Sequence, residues 1–298
     1  MIAGARFLHF AATLTVFGAS LFFLYGLQWP YASHWPQRLI AVAVAAGAFS
    51  LALWIALLAQ DLGGSLFDVG LYWTMLTQTG FGRALFFKIA LTAASIFFLC
   101  FYWRMEPPRL YRMLVLPSAL LTASFAGIGH GAAGEGSTAI WRMAVDILHL
   151  LCSGLWVGAL VPLAVLMSKA CGGGEKEAAR AQFGLVKFSA IATGMLIFLI
   201  HTGIVNIWLI LGGTPLSALF AAPYGLLLTA KLILFLAMLL LAAANRYWLT
   251  GALANAKDQN SRSRAARNLK RSIGAETALA FLVLLAVGFL GTMEPPGE

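Results

Sequence analysis

Residues 140–168 read IWRMAVDILHLLCSGLWVGALVPLAVLMS. The stretch exceeds the roughly 20 apolar residues that carry a helix across about 30 Å of hydrocarbon. Yet it opens on Arg142, Asp146 and His149. Ionisable groups are costly in lipid, so in a spanning helix they face the bundle interior and mark a site or pathway. Seven further segments have the same apolar character: 5–28, 37–59, 83–103, 110–128, 184–212, 222–249 and 272–292. Backbone groups in lipid must be satisfied within their own segment, so all eight are read as helices. The expected fold is an all-α integral membrane protein, a bundle of about eight transmembrane helices. Turn chemistry supplies the breaks, at Gly63-Gly64, Pro107-Pro108, residues 129–136, Gly172-Gly173-Gly174 and Gly212-Gly213-Thr214-Pro215. The stretch 66–78 is apolar but too short to span, and reads as an interfacial or re-entrant piece.

Composition agrees. Of the 298 residues, 61% are hydrophobic and 10% charged, where a soluble domain carries about 25% charged residues. That excludes an ordinary cytosolic enzyme and a disordered chain. The formal charge of +9 is read as topology before it is read as a partner signal, so nucleic-acid binding is not expected. Loops 1–2, 3–4, 5–6 and 7–8, with their adjoining helix ends, hold 15 of the 20 basic residues. The positive-inside rule puts those loops in the cytoplasm and both termini in the periplasm. The basic run 257–271 reads as an anchor on anionic membrane lipid. Arg6 followed by an apolar run looks like a signal peptide, but no small-residue cleavage site precedes a polar domain, so a retained first span is expected. Cys100, Cys152 and Cys171 form no CxxC pair and imply no disulfide framework.

A weak internal echo joins two helices. Arg6-Phe7-Leu8-His9 opens one and Asp146-Ile147-Leu148-His149 another, each with a glycine nine residues after the histidine, Gly18 and Gly158. It hints at two four-helix halves, residues 1–128 and 129–298.

Four of the five histidines gather toward the outer side. His9 lies in the first turns of span 1, His130 in outer loop 4–5, His149 in the outer part of span 5 and His201 midway along span 6; His34 lies in a cytoplasmic loop. Each alone reads equally well as a helix-to-helix hydrogen bond. Together they suggest a metal site, since neutral imidazole suits copper, zinc and iron. Arg142, Asp146 and His149 share a helical face, with Asp146 placed to orient a metal-bound His149 and Arg142–Asp146 the competing ion pair. Cys152 and Met143 are soft-ligand candidates that read as readily as packing residues. Asn206 lies in the outer half of span 6. Lys231 inside span 7 is a fixed charge for an acid or a haem propionate, or a snorkelling side chain; Glu276 near the inner end of span 8 reads as snorkelling. No GxSxG, P-loop, HExxH or dinucleotide motif is present, so no enzyme is expected.

These residues resemble the copper resistance protein D family of bacterial inner-membrane proteins. The strongest likeness is Asp146-Ile-Leu-His149 through Trp156-Val-Gly158-Ala-Leu160, similar to that family's D-x-x-H-L…W-x-G-x-L helix. Others are Gly129-His130-Gly131-Ala132-Ala133, Phe188-Ser189 with Thr202-Gly203 and Asn206, Tyr224-Gly225 through Lys231 to Asn245-Arg246, and the opening Arg6-Phe-Leu-His9 with Gly18 and Phe22. The resemblance implies copper handling in the inner membrane with a periplasmic CopC-type carrier as partner. Some members carry a fused copper-binding domain; here a separate carrier is expected to deliver the ion. On this reading the metal ligands are drawn from His9, His130, His149 and His201, with Arg142, Met143, Asp146, Cys152, Trp156, Asn206 and Lys231 around them or along the pathway. His201 matches no family motif and rests on the physical argument alone. The family's four-helix core also looks distantly similar to membrane cytochromes b. In that alternative His149 and His201 hold haem b, and the protein transfers electrons or reduces copper.

Overall fold

The computed structural model describes residues 1–31, 33–63, 65, 68–127, 136–211 and 222–294. Among them every regular element is helical: α1 (Ile2–Tyr25), α2 (Trp35–Asp61), α3 (Val69–Gln78), α4 (Gly80–Tyr102), α5 (Pro107–Ala123, with a 3₁₀ turn Ser124–Gly127), α6 (Gly136–Gly172), α7 (Glu175–Leu211), α8 (Pro223–Ala244), α9 (Thr250–Ala254) and α10 (Gln259–Leu290). A π-helical turn, Asn245–Leu249, joins α8 to α9. Eight of these helical stretches are long and apolar enough to cross a membrane. The chain is a multi-spanning helical bundle, as its apolar pattern predicts.

Local chemistry starts the helices where the chain turns. Pro107 and Pro223 stand at the first helical positions of α5 and α8, where a missing N–H costs nothing. Asp68 caps α3 by accepting from the Leu71 amide, and Thr79 caps α4 by accepting from the Gly82 amide. Asp258 and Ser261 form a reciprocal capping box at α10. The bond from the Ser261 amide, the largest cause, holds the exposed Asp258 carboxyl below the usual carboxylate range.

The helices outrun the expected spans on the basic side. Helix α7 begins at Glu175 rather than 184, and α10 at Gln259 rather than 272. Counting apolar residues stops at the first charges, but a helix continues as long as its own hydrogen bonds and side-chain pairs hold. Arg180 bonds Glu177 at 2.7 Å, one turn apart, and Arg262 reaches Glu175 at 3.0 Å. The basic run is therefore helical from residue 259, with Ala265, Ala266 and Leu269 facing the core. The short piece before α4 is the ten-residue α3, seated against α4.

Helix α1 is the hub, packed against α2, α5, α6 and α10. About 78% of its apolar window is buried, against 11% for the helix that starts at Pro223, so α8 lies at the periphery. Helices α1 and α6 cross at their glycines. A Cβ on Gly18 would stand 2.7 Å from the Gly158 Cα and run into the Gly154 carbonyl oxygen, and one on Gly158 would meet Leu14 and Gly18. Such close approach is the role of small residues where helices gain no hydrophobic drive from each other in lipid. Exposed aromatics gird both ends: Trp73, Trp141 and Trp208 at one, Trp103, Tyr247 and Trp248 at the other, as at a membrane's two interfaces.

Candidate functional site

Ionisable and polar side chains gather in three places inside this bundle. Two lie at the end away from the basic loops, nine residues, or about 13 Å, from the glycine crossing.

The first surrounds His9, which is fully buried. Its Nδ1 lies 3.1 Å from the Gly47 carbonyl and 3.4 Å from the Ser50 hydroxyl, and Ser50 donates to the same carbonyl at 3.0 Å. A carbonyl can only accept, so the proton sits on Nδ1 and Nε2 keeps its lone pair. That Nε2 has no partner among the described residues. Trp54 and Phe125 flank the ring, with centroids at 6.0 and 5.3 Å. Lys88, also fully buried, donates to Ser124 at 2.8 Å and lies within electrostatic reach of His9 and Arg6. One turn deeper, Thr13, Thr92, Ser95 and Ser118 line a cavity of about 20 Å³, room for about one water.

The second surrounds His149. Its Nδ1 lies 3.0 Å from the Thr202 hydroxyl, which itself donates to the Phe198 and Leu199 carbonyls, so Nδ1–H donates and Nε2 is again left with its lone pair. The Leu199 carbonyl lies near the ring, and Gly203 leaves room for it at 3.5 Å. Asp146, one turn before His149, accepts from Asn206 at 3.3 Å. The Lys231 charge, on α8, acts on both Asp146 and His149.

The two arrangements follow one plan. In each, an imidazole on a hub helix meets a carbonyl and, three residues on, a hydroxyl of the next span: Gly47 and Ser50, or Leu199 and Thr202. In each, a lysine from the span after that stands close, Lys88 or Lys231. The position three before the histidine differs, being Arg6 in one and Asp146 in the other. The sequence echo thus has a physical counterpart, with its two glycines packed face to face.

The third lies nearer the basic end. Glu276 is 2% exposed. Its Oε1 accepts from Trp156 Nε1 and its Oε2 from Asn245 Nδ2, both at 2.9 Å. Glu276 does not snorkel, because α10 turns this side toward α6 and the π-turn. Trp156 serves this carboxylate and packs against Phe235 at 6.0 Å rather than joining the histidines. Asn245 sits at the first residue of a π-turn, a helical irregularity often found at functional sites.

Other expected site residues fall elsewhere. His201 is exposed: Thr202 faces His149, and the neighbouring residue on a helix points about 100° away. The structure therefore does not pair His149 with His201, and shows no haem pocket between them. Asp146 pairs with Asn206 instead of Arg142, whose Nε has no partner among the described residues. Met143 is exposed and Cys152 is buried in the main apolar core. His130 lies outside the described residues. Among the described residues no three His, Cys, Asp or Glu side chains gather as a metal would need. Sequence reasoning passed over Lys88 and Ser50, and met Thr202 only as part of the family likeness. A lysine six residues into an apolar span was the available signal for Lys88, since the same signal marked Lys231; Ser50 carried none.

Comparison with known proteins bears on what these clusters serve. A profile of the copper resistance protein D-like N-terminal domain matches residues 1–141, and one of copper resistance protein D matches residues 185–290. Copper resistance protein D of Pseudomonas syringae pv. tomato is 32% identical over 300 residues, 98% of this chain and 96% of that protein. The chain belongs to the copper resistance protein D family. Inner membrane protein YebZ of Escherichia coli (strain K12) is 29% identical, over 97% of both chains. The copper transport protein CutJ of Bacillus subtilis (strain 168) is 28% identical over 179 residues, 60% of this chain and 29% of that protein. Helix α6, with Asp146 and His149, falls largely between the two profile matches, so within the family its chemistry is read from the geometry above.

Proposed function

We propose that this protein moves copper across the bacterial inner membrane through its last four spans, with both termini and the Asp146–His149 cluster on the periplasmic side. The copper-transport name of the CutJ relative, the inner-membrane name of YebZ and the clustering of Lys and Arg at one end support this reading. The observation that carries it is the His149 hydrogen bond to Thr202. That bond fixes the ring and its tautomer and leaves Nε2 to a metal, as outer-shell partners of metal-binding histidines do.

Copper taken from a periplasmic CopC-type carrier meets imidazole nitrogen first, a donor that suits it. Asp146 next to the ring offsets the charge of the ion, with Asn206 bonded to that carboxylate and Lys231 within electrostatic reach of it. The buried Glu276, toward the cytoplasmic side and framed by Trp156 and Asn245, is the next negative group on the way. Two protein donors at the entry, rather than a closed cage, suit a cargo that has to leave again. The His130 loop lies before α6 in sequence and is the proposed gate through which the carrier hands over the ion.

Copper uptake into proteoliposomes tests the reading. His149→Ala and Asp146→Asn should abolish uptake while His201→Ala leaves it intact. Uptake unaffected by His149→Ala would remove the proposed entry site.

A further inference from the structure

The His9 cluster lacks a counter-charge. Arg6 stands over the Trp54 ring at 5.1 Å, with its terminal nitrogen against Gly291 at the C-terminal end of α10. The Lys88 ammonium stands 3.5 Å from the Phe125 ring centroid. The two cations are within electrostatic reach of each other, and among the described residues no carboxylate ion-pairs with either. Uncompensated charge in a span is expensive. The polar atoms left without a partner beside them include Arg6 Nε and Trp54 Nε1, which can only donate, and His9 Nε2, which accepts. His9, its Nδ1 spent on Gly47, closes the box with Trp54 and Phe125.

We propose that Arg6, Trp54 and Lys88 form a binding site for a small inorganic anion of chloride size. The parallel with the other cluster argues for it. There, the residue three before the histidine is Asp146, so the chain itself supplies the negative charge beside Lys231. Here that residue is Arg6, so the negative charge comes from solution. Enclosure selects the class of anion. Trp54 and Lys88 are 1% and 0% exposed; a lipid phosphate or a peptide carboxylate must trail its chain out of the site, whereas a bare halide need not. The site is independent of the copper reading, and its test contains no copper.

The purified full chain in detergent is titrated with sodium chloride, or with sodium bromide, against sodium gluconate at constant ionic strength, and its thermal midpoint followed. Chloride and bromide should raise the midpoint saturably and gluconate should not. Crystals grown in bromide should show an anomalous peak bounded by Arg6, Trp54 and Lys88. Lys88→Met should abolish the halide response and His201→Ala should leave it. Trp54→Phe keeps a ring and removes only the N–H, so it serves even where Lys88→Met does not fold; it should weaken apparent halide affinity roughly 10-fold. Midpoints that respond equally to chloride and gluconate, or a halide response unchanged in Trp54→Phe, would overturn the site.

Discussion

The two imidazoles on α1 and α6 are held by the same device in different charge surroundings. His9 and His149 each give Nδ1–H to the neighbouring span, which leaves Nε2 its lone pair, and each has a lysine nearby. Three residues away one finds Arg6 and the other Asp146. A metal cation approaching His149 meets a carboxylate beside Lys231; one approaching His9 meets two basic residues and no carboxylate. At an effective dielectric of about 20, two unit charges 4 Å apart interact by about 4 kcal/mol, enough to decide which cluster takes a cation. Donor geometry alone therefore does not identify a metal site; the residue one turn away decides its sign.

That contrast can be broken, and the largest expected effect comes from removing each ring in turn. His149→Ala should abolish copper uptake into proteoliposomes, while His9→Ala leaves uptake within about 3-fold. Equal losses would mean that the charge difference does not sort the two sites. Next comes the crossing that holds the clusters level. Gly158→Ala should destabilise the protein by about 1–3 kcal/mol, the cost of overpacking, read as a lowered thermal midpoint. Gly194→Ala, with open space around its Cβ, should be neutral or slightly stabilising. A smaller effect is expected from the hydroxyls that orient the rings. Thr202→Val should reduce uptake about 10-fold and Ser50→Ala should not change it. If both variants transport normally, the ring at His149 is held by the Leu199 carbonyl alone. The smallest effect lies outside both clusters, at the Asp258 cap. Its carboxyl is lowered in the folded chain, so its contribution is present above the unfolded value of about 3.9 and is lost as pH falls through the lower folded value. Exchange of the Ser261 amide should quicken only below about pH 4, with the bundle intact.

The spans were legible in the sequence because hydrocarbon imposes a length and forbids unpaired backbone, and both constraints act residue by residue. The basic asymmetry and the echo around His9 and His149 were legible for the same reason. Each is a pattern along one chain. The grouping of histidines was legible only as a level in the membrane. His201 shares that level but not that face, and a rotation of about 100° between adjacent residues separates the two.

What only the tertiary structure decided is which helix each polar face meets. Glu276 reads as a snorkelling carboxylate until α6 and the π-turn supply Trp156 and Asn245 at 2.9 Å each. Lys88 reads as one more basic residue until Ser124 accepts its hydrogen bond and Phe125 lies under it. The sequence by itself determined the number of spans and their apolar lengths, because those follow from the solvent and from local geometry; that Gly18 and Gly158 touch came only from the packing. The sign and the partners of each buried charge depend on residues 31 to 120 positions away, and only the packed bundle brings those together.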